Sequence, residues 1–218
     1  MSALPKDLLA AFKALPVFPL QQVVLFPGML LPLHVFEPRY VAMIRDVLAT
    51  HRCIAMALVS KRSADMDGAP NFRPVAGVGS IMEHVELPGD RLHILLRGRA
   101  RVRLEELPFT PPYRLARATL ITTQQGRVAD TAIAALHSAA GSFARLIKRR
   151  DADFELHLPK DTDPAAIADA LTHQLVLDSA TRQIILESTD AAERIELLTE
   201  TLTIQLATLG DFRPGESN

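Results

Sequence analysis

Four arginines at alternating positions near the middle of the chain are the side chains with the clearest potential for chemistry: Arg97, Arg99, Arg101 and Arg103. This period-two pattern predicts a half-buried strand with all four guanidinium groups on one face. Four aligned cations could contact successive phosphates of a nucleic acid. However, the chain has no tryptophan, two tyrosines and a net charge of −1, so stacking platforms for bases are scarce. We therefore favour a solvated arginine face partly neutralised by acidic neighbours, and keep RNA binding as an alternative.

A β-hairpin over residues 87–91 precedes these arginines, because Gly89 and Asp90 are residues that tight turns favour. The turn is expected to pair Leu87 with Leu92.

In that register Glu86 lies opposite His93, and His84 shares their face with the arginines. Three such side chains could hold a metal ion, but an ordinary cross-strand pair of Glu86 and His93 explains the same pattern. We predict neither a metal site nor a cofactor. The polar face that could bind an anion comprises His84, His93, Arg97, Arg99 and Arg101.

The usual catalytic motifs are missing from the sequence. No lysine follows a glycine, as a phosphate-binding P-loop requires, and there is no G-x-S-x-G nucleophile motif. Ser60 and Lys61 are adjacent, but neighbours on a strand face opposite ways and cannot share a proton. Cys53 lies beside Ile54 and Met56, which favours a buried structural thiol over a nucleophile. We therefore predict no catalytic residue and no enzymatic activity.

Short apolar runs separated by Pro and Gly predict a β-rich first half. We expect strands at 23–26, 30–36, 54–60, 78–87, 92–104 and 115–122. One helix over 38–50 interrupts them, because Pro38 suits a first helical position and Val41, Ile44 and Leu48 recur at helical spacing.

The second half becomes rich in Ala and Leu after residue 123 and predicts four helices. The first carries an apolar stripe within 128–150, the second starts at Asp163-Pro164, the third covers 179–187, and Asp190 with Glu193 begins the fourth. We predict an α+β protein with a β-rich subdomain at 1–123, a helical subdomain at 124–210 and a flexible tail at 211–218. The stripe of the first helix could also pack against a second copy, so the protein is expected to be a monomer or a homodimer.

Composition places the protein among globular proteins of a reducing compartment. Apolar residues make up 48% of its 218 residues, and the 24 basic and 25 acidic residues nearly balance, so no whole-chain attraction to nucleic acid or anionic membrane is expected. The uncharged stretch at 14–36 contains four prolines and cannot form a membrane helix. One cysteine and no signal-peptide pattern favour a cytoplasmic protein that does not contact membranes.

Several motifs resemble the N-terminal substrate-binding domain of the Lon protease family. The first are Leu15-Pro16-Val17-Phe18-Pro19-Leu20, Leu25-Phe26-Pro27-Gly28 and Leu31-Pro32-Leu33-His34-Val35-Phe36-Glu37-Pro38-Arg39-Tyr40. Blocks similar to the later parts of that domain follow in order at 77–81, 89–91, 98–102, 112–113, 183–187 and 190–194. Ala100 is a departure, since the family often has an aromatic residue there.

The resemblance implies a PUA-like pseudobarrel followed by a helical bundle. Lon proteases carry an ATPase module and a Ser-Lys peptidase module after this domain, and this sequence ends at Asn218, so we expect the domain to stand alone. Family members that carry it without the protease use it for protein contacts. We therefore expect a non-enzymatic module that binds unfolded or partner polypeptides, with a role as an accessory to an ATP-dependent protease as an alternative.

Segments interrupted by prolines in the first half could offer apolar side chains and strand edges to an extended peptide. The predicted polypeptide-binding residues are Met29, Leu31, His34, Phe36, Glu37, Arg39 and Tyr40. For the apolar residues a place in the core is the alternative. For Glu37, Arg39 and Tyr40 the alternative is a local ion pair or hydrogen bond that fixes the helix against the barrel.

Overall fold

A computed structural model describes residues 6–64, 70–124, 126–159 and 163–210. The chain divides into two compact units, Met1–Thr122 and Thr123–Asn218. Within these described ranges, the first unit contains all seven strands and the second contains four of the six helices, which confirms the predicted α+β class. The predicted flexible tail at 211–218 lies outside the described residues.

The first unit, here called the β-rich unit, is built around one sheet that closes on itself. Its strands are β1 (Leu15–Leu20), β2 (Leu30–Val35), β3 (Cys53–Ala64), β4 (Pro70–Phe72), β5 (Val75–Leu87), β6 (Arg91–Glu106) and β7 (Arg114–Ile121). Antiparallel neighbours run β1-β7-β6-β5-β3, and a parallel pairing of β1 with β3 closes this ring. A β-barrel of five strands results, and β2 pairs with β6 outside it.

Two helices accompany these strands: α1 (Lys6–Ala11) and α2 (Pro38–Leu48). The predicted helix at 38–50 is therefore confirmed, with Pro38 in its first turn. Its buried side chains include Val41, Ile44 and Val47, which pack with the strands in one core cluster. This apolar face holds α2 against the sheet.

In the first 30 residues, the sequence analysis missed two elements and assigned one strand wrongly. α1 was not predicted, and β1 forms although it contains Pro16 and Pro19. The apolar run 23–26 is not a strand. Its residues pack against two glycines of the sheet: a Cβ atom at Gly77 or Gly98 would collide with the carbonyl oxygen of Leu25 or Phe26, respectively. The apolar composition of residues 23–26 thus reflects their burial, and these residues do not form a strand.

The β5–β6 hairpin forms where it was predicted, but its register differs by one residue. Leu87 pairs with Arg91, and Pro88, Gly89 and Asp90 form the loop. Gly89 and Asp90 both have positive φ angles, 80° and 58°, a conformation that Gly adopts freely and Asp tolerates. This three-residue loop shifts every partner, so Val85 lies opposite His93 and Glu86 opposite Leu92.

The second unit, the helical unit, consists of α3 (Asp130–Lys148), α4 (Pro164–Leu175), α5 (Ser179–Glu187) and α6 (Ala191–Gly210). All four were predicted. The Asp163 carboxylate caps α4 by accepting from the Ala165 amide at 3.2 Å, and Asp190 caps α6 by accepting from the Ala192 amide at 2.7 Å. Such caps satisfy amides that have no partner within a helix.

Arg194 of α6 is a fully buried cation in the helical unit. Its guanidinium donates to the Asp169 carboxylate of α4 at 3.1 Å and to the Ser188 carbonyl at 2.9 Å. A buried charge needs such partners. Across the described ranges, no helix is long and apolar enough to cross a membrane.

Candidate functional site

One face of the sheet in the β-rich unit is open and carries apolar side chains. It is formed by β2, the first half of β6 and the second half of β5. Residues in register share a face, so the register of the three strands assigns most members of this face. Phe36 is assigned by its ring contact with His34. Met82 and Arg99 lie at the register shifts and are assigned by the contacts of Arg99 with Ser80 and Met82. We call this the outer sheet face, and it comprises Leu30, Pro32, His34, Phe36, Ser80, Met82, Glu83, Val85, Leu87, Arg91, His93, Leu95, Arg97 and Arg99.

The opposite face belongs to the core along β6. Leu92, Ile94 and Leu96 of β6 are at most 3% exposed and pack in a cluster with α2. β6 therefore alternates between a fully buried row and an outward row, as a sheet covered on one side does.

Large apolar side chains are concentrated on the outer sheet face. Leu30 is 52% exposed, Phe36 62%, Met82 44% and Val85 59%. Folding normally hides such groups, and several of them together mark an interaction surface more often than single exposed residues do.

Aromatic rings extend this apolar surface across two strands. His34 and His93 are register partners, and their rings lie edge to face with centroids 4.8 Å apart. The Phe36 ring lies 5.7 Å from the His34 ring. These rings are geometrically suited to stack on, or pack around, a flat or branched apolar group.

The four arginines of β6 do not point the same way, so that prediction is wrong. Arg97 pairs with Ser80, whereas Arg101 pairs with Gly77, three residues earlier on β5. Residues an odd number of positions apart on a strand point to opposite faces, so Ser80 and Gly77 do, and their partners Arg97 and Arg101 do as well. The register shifts between Val78 and Gly79, which leaves Arg99 as an extra residue in β6, and a bulge of this kind breaks the alternation.

The arginines accordingly have different surroundings. Arg97 is exposed, and Arg99 is half-buried and donates from Nε to the Ser80 hydroxyl at 3.1 Å. Arg101 is only 4% exposed, and its guanidinium lies 5.9 Å from the centre of the Phe26 ring. The predicted anion-binding set is thus divided: His93, Arg97 and Arg99 lie on the outer sheet face, and Arg101 does not.

The other predicted member of that set, His84, also lies on the opposite face. His84 pairs with Ile94, and Glu86 pairs with Leu92. The expected grouping of His84, Glu86 and His93 is therefore wrong, because the hairpin register differs by one residue and each slip reverses the face. The residues that the structure describes contain no group of three or more side chains that could hold a metal.

The predicted polypeptide-binding residues fall into two environments. His34 and Phe36 lie on the outer sheet face. Leu31 packs against the core cluster on the other side of β2, and Met29 is half-buried. Their part in binding stays a prediction.

The residues at the junction of β2 and α2 form a local contact set. The Glu37 carboxylate accepts from the Arg39 guanidinium at 2.8 Å, and this guanidinium lies 4.6 Å from the centre of the Tyr40 ring. Tyr40 is 6% exposed, with its ring 4.3 Å from that of Phe18. Burial raises the pKa of Tyr40 above its usual value. Glu37 and Arg39 therefore reach solvent beside the outer sheet face, while Tyr40 belongs to the core.

Comparison with known proteins agrees with this architecture. The family model of the ATP-dependent protease La (LON) substrate-binding domain matches residues 14–203. The chain belongs to this family. We refer to it below as the LON domain.

Relatives of the LON domain include Lon protease of Heliobacterium modesticaldum, which is 26% identical over 89% of this chain, and Lon protease 2 of Sorangium cellulosum, 29% identical over 90%. The chain spans about a quarter of the length of these relatives, 24% and 25%.

Solved structures share the fold. They include the Lon N-terminal domain protein from Xanthomonas campestris, with a TM-score of 0.63 and 22% identity over 86% of this chain and 98% of that one. The N-terminal domain of the Mycobacterium avium complex Lon protease has a TM-score of 0.64 and 19% identity, covering 88% and 98%.

The outer sheet face of the LON domain ends at an edge strand. Among the described residues, β2 pairs with β6 alone. The Gly98 amide donates to the Met29 carbonyl at 2.8 Å. Backbone groups of successive residues in an antiparallel strand alternate between its two sides, so those of Leu31 and Leu33 face β6 and those of Pro32 face the free edge. Proline has no amide hydrogen, so the middle of this edge lacks a donor.

Other titratable groups of the LON domain are engaged locally. The Cys53 thiol is 2% exposed and lies 3.0 Å from the His51 carbonyl, while the Cys53 amide donates to His51 Nδ1 at 3.1 Å. Burial lowers the pKa of His51. The Tyr113 hydroxyl donates to the Asp46 carboxylate at 2.7 Å, and burial together with this bond raises the pKa of Tyr113 to about 12. The prediction for Ser60 and Lys61 involves the Lys61 side chain, which lies outside the described part.

Sequence reasoning missed Leu30, Met82 and Val85 as members of the outer sheet face. The detectable signal was the alternation in β2, where Leu30, Pro32, His34 and Phe36 share a parity. This alternation would have identified the residues of the outer sheet face on β2. Its residues on β5 depend on the length of the hairpin loop and on the register shift at Met82.

Proposed function

We propose that the LON domain is a non-enzymatic module that binds unfolded or partner polypeptides through its β-rich unit, with the outer sheet face as the contact surface. The observation that supports this most is the group of exposed apolar side chains on one three-stranded face: Leu30, Phe36, Met82 and Val85. An unfolded segment exposes apolar groups that this surface could cover, and burial of apolar area favours such association.

Contact through the face is favoured over addition of a strand at its edge. An extended peptide that joins β2 would need a regular row of donors and acceptors along the free edge. Pro32 interrupts this row. The face has no such interruption, and His34 and Phe36 lie on it, so both belong to the proposed binding residues. Glu37 and Arg39 form its charged border.

Belonging to a substrate-binding family supports this proposal, and the description of that family suggests a link to an ATP-dependent protease. A role in delivering polypeptides to such a protease would use the same surface. We further propose a reducing compartment such as the cytoplasm as the site of action, because the sequence has one cysteine, Cys53, and therefore no intramolecular disulfide. The RNA alternative is less favoured because Arg101 does not share a face with Arg97.

A binding titration with an unfolded protein tests the proposal. Fluorescein-labelled β-casein should gain anisotropy when the LON domain is added. Phe36→Ser should weaken binding about tenfold, because the ring no longer contributes apolar area to the complex.

Phe109→Ser is the matched control. Phe109 is 56% exposed and lies in the loop after β6, away from the outer sheet face, so its loss should leave the affinity unchanged. Equal affinities of the wild type and Phe36→Ser would contradict the proposal. Incubation with casein and ATP should give neither cleavage nor phosphate release, and turnover would refute the non-enzymatic role.

A further inference from the structure

We propose that the outer sheet face selects polypeptide segments in which an apolar or aromatic residue lies close to a carboxylate, and that Arg97 binds this carboxylate. This inference rests on the proposed function and adds a substrate class to it. Its basis is the distribution of charge on the face.

Arg97 is an exposed cation without a local acidic partner. Its guanidinium makes no hydrogen bond or ion pair with any residue that the structure describes. Three other arginines of the β-rich unit are paired with carboxylates: Arg39 with Glu37 at 2.8 Å, Arg45 with Asp90 at 2.7 Å and Arg117 with Glu105 at 3.6 Å. Arg97 differs from these three in being available to an external anion.

A second guanidinium lies at the same end of the face. Ser80 is the register partner of Arg97, and its hydroxyl accepts a hydrogen bond from Arg99 at 3.1 Å. Arg99 also lies 3.3 Å from the Met82 sulfur. Both of these contacts are uncharged, so neither neutralises Arg99. A carboxylate bound at Arg97 would thus interact with two positive charges, and guanidinium groups bind carboxylates in a favourable planar geometry.

Acidic groups on the outer sheet face are fewer than the basic ones. Glu83, the register partner of Leu95, is its one acidic side chain, against Arg91, Arg97 and Arg99. The Arg91 guanidinium donates to the Pro88 carbonyl at 2.9 Å, which leaves its charge unneutralised. The face is therefore positive overall, whereas the whole chain has a net charge of −1.

Apolar contacts lie directly beside these cations. Leu30 is the register partner of Arg97 and is 52% exposed, and Met82 is 44% exposed. Cross-strand partners are about 5 Å apart, and residues of an extended ligand that share a face repeat at about 7 Å. A ligand with its carboxylate at Arg97 would therefore place an apolar side chain two positions away on Leu30 or Met82.

Three labelled peptides of equal length test this selection. All carry the same central Leu-Phe-Leu, flanked by Asp, Asn or Lys residues, and their affinities are measured by fluorescence anisotropy. The Asp peptide should bind the wild type about 5- to 10-fold more tightly than the Lys peptide, which corresponds to a surface charge interaction near 1 kcal/mol. Added salt should reduce this preference.

Two charge reversals on β6 provide the variant and its control. Arg97→Glu should abolish or invert the preference for the Asp peptide. Arg103→Glu should retain it, because Arg103 is also exposed and unpaired among the described residues, but it pairs with Val75 on the face opposite to Arg97.

The outcomes separate this inference from the proposed function. Equal binding of all three peptides by the wild type would overturn the inference and leave polypeptide binding intact. A lack of binding to every peptide and to casein would overturn both. Tighter binding of single-stranded RNA than of the Asp peptide, lost in Arg97→Glu, would assign the cations to nucleic acid and refute the peptide selection.

Discussion

An arginine–carboxylate pair in the helical unit and one in the β-rich unit differ sharply in burial. In the helical unit, Arg194 is fully buried and pairs with Asp169, which joins α6 to α4. In the β-rich unit, the pair of Arg39 and Glu37 is about half exposed, at 52% and 45%, and Arg97 reaches solvent unpaired. A buried pair fixes the packing of two helices, whereas exposed charges remain free to meet a ligand. This contrast supports our proposal that binding involves the β-rich unit.

Glycines show the same division of roles. Gly98 of β6 lies where a Cβ atom would collide with the Phe26 carbonyl, so close contact between two backbone segments requires it. Gly141 lies inside α3, where the nearest atom to an added Cβ is an Arg145 side-chain nitrogen at 3.6 Å. The first glycine is a packing requirement and the second is replaceable.

Loss of the buried pair should have the largest effect on stability. Asp169→Ala leaves Arg194 charged and buried without its carboxylate, and we expect the free energy of unfolding to fall by about 3–5 kcal/mol. Glu37→Ala, which removes the exposed partner of Arg39, should change it by less than about 1 kcal/mol. Urea unfolding followed by circular dichroism measures both. Similar effects of the two variants would remove the contrast between the units.

The two glycines should respond to alanine with opposite signs. Gly98→Ala should destabilise the protein by about 1–3 kcal/mol, because the Phe26 segment must move away from the sheet. Gly141→Ala should stabilise it by about 0.5–1 kcal/mol, since alanine is the better residue in a helix interior. Thermal melts of the two variants check this prediction. A destabilised Gly141→Ala protein would show that α3 is packed more tightly than its geometry indicates.

The smallest predicted effect is a pH dependence to which both units contribute. Burial lowers the pKa of His173 in α4, with Arg182 as a second cause, and burial lowers the pKa of His51. The unfolded chain therefore binds more protons than the folded one, and stability rises with pH. These two histidines should not lower the free energy of unfolding above about pH 6.5, the ordinary histidine pKa. The free energy of unfolding should decrease as the pH falls below this value.

Substitution tests the contribution of the helical unit. His173→Gln should flatten the dependence of the unfolding free energy on pH between about 5 and 7, the range around the ordinary histidine pKa. His137→Gln is the control, because His137 is exposed on α3. A control that flattens the curve as strongly as His173→Gln would contradict the assignment.

Local chemistry made much of the fold predictable. Pro38 starts α2, Asp163 caps α4, and Gly89 with Asp90 turns the hairpin, and each acts through its own backbone or side chain. The register of that hairpin was not predictable in the same way. A two-residue and a three-residue loop fit the same turn residues, so these residues alone do not decide which register forms.

The candidate site depended on such non-local geometry. The bulge at Arg99 separates Arg97 from Arg101, although the alternating sequence gives no sign of it. Likewise, the segment 29–40 was correctly singled out as a place where side chains reach the surface, as His34 and Phe36 do, but Leu31 and Tyr40 point into the core. Strand pairing with β6 decides between the two environments, and pairing partners lie about 60 residues away along the chain.

Pro32 has a consequence for molecules that meet one another at high concentration. Two copies whose edge strands paired with each other would begin a fibril, and a bound polypeptide segment could start the same growth. Because Pro32 has no amide hydrogen to donate, such pairing is interrupted in the middle of β2. The outer sheet face can thus bind the side chains of a ligand while its edge strand, β2, does not promote amyloid growth.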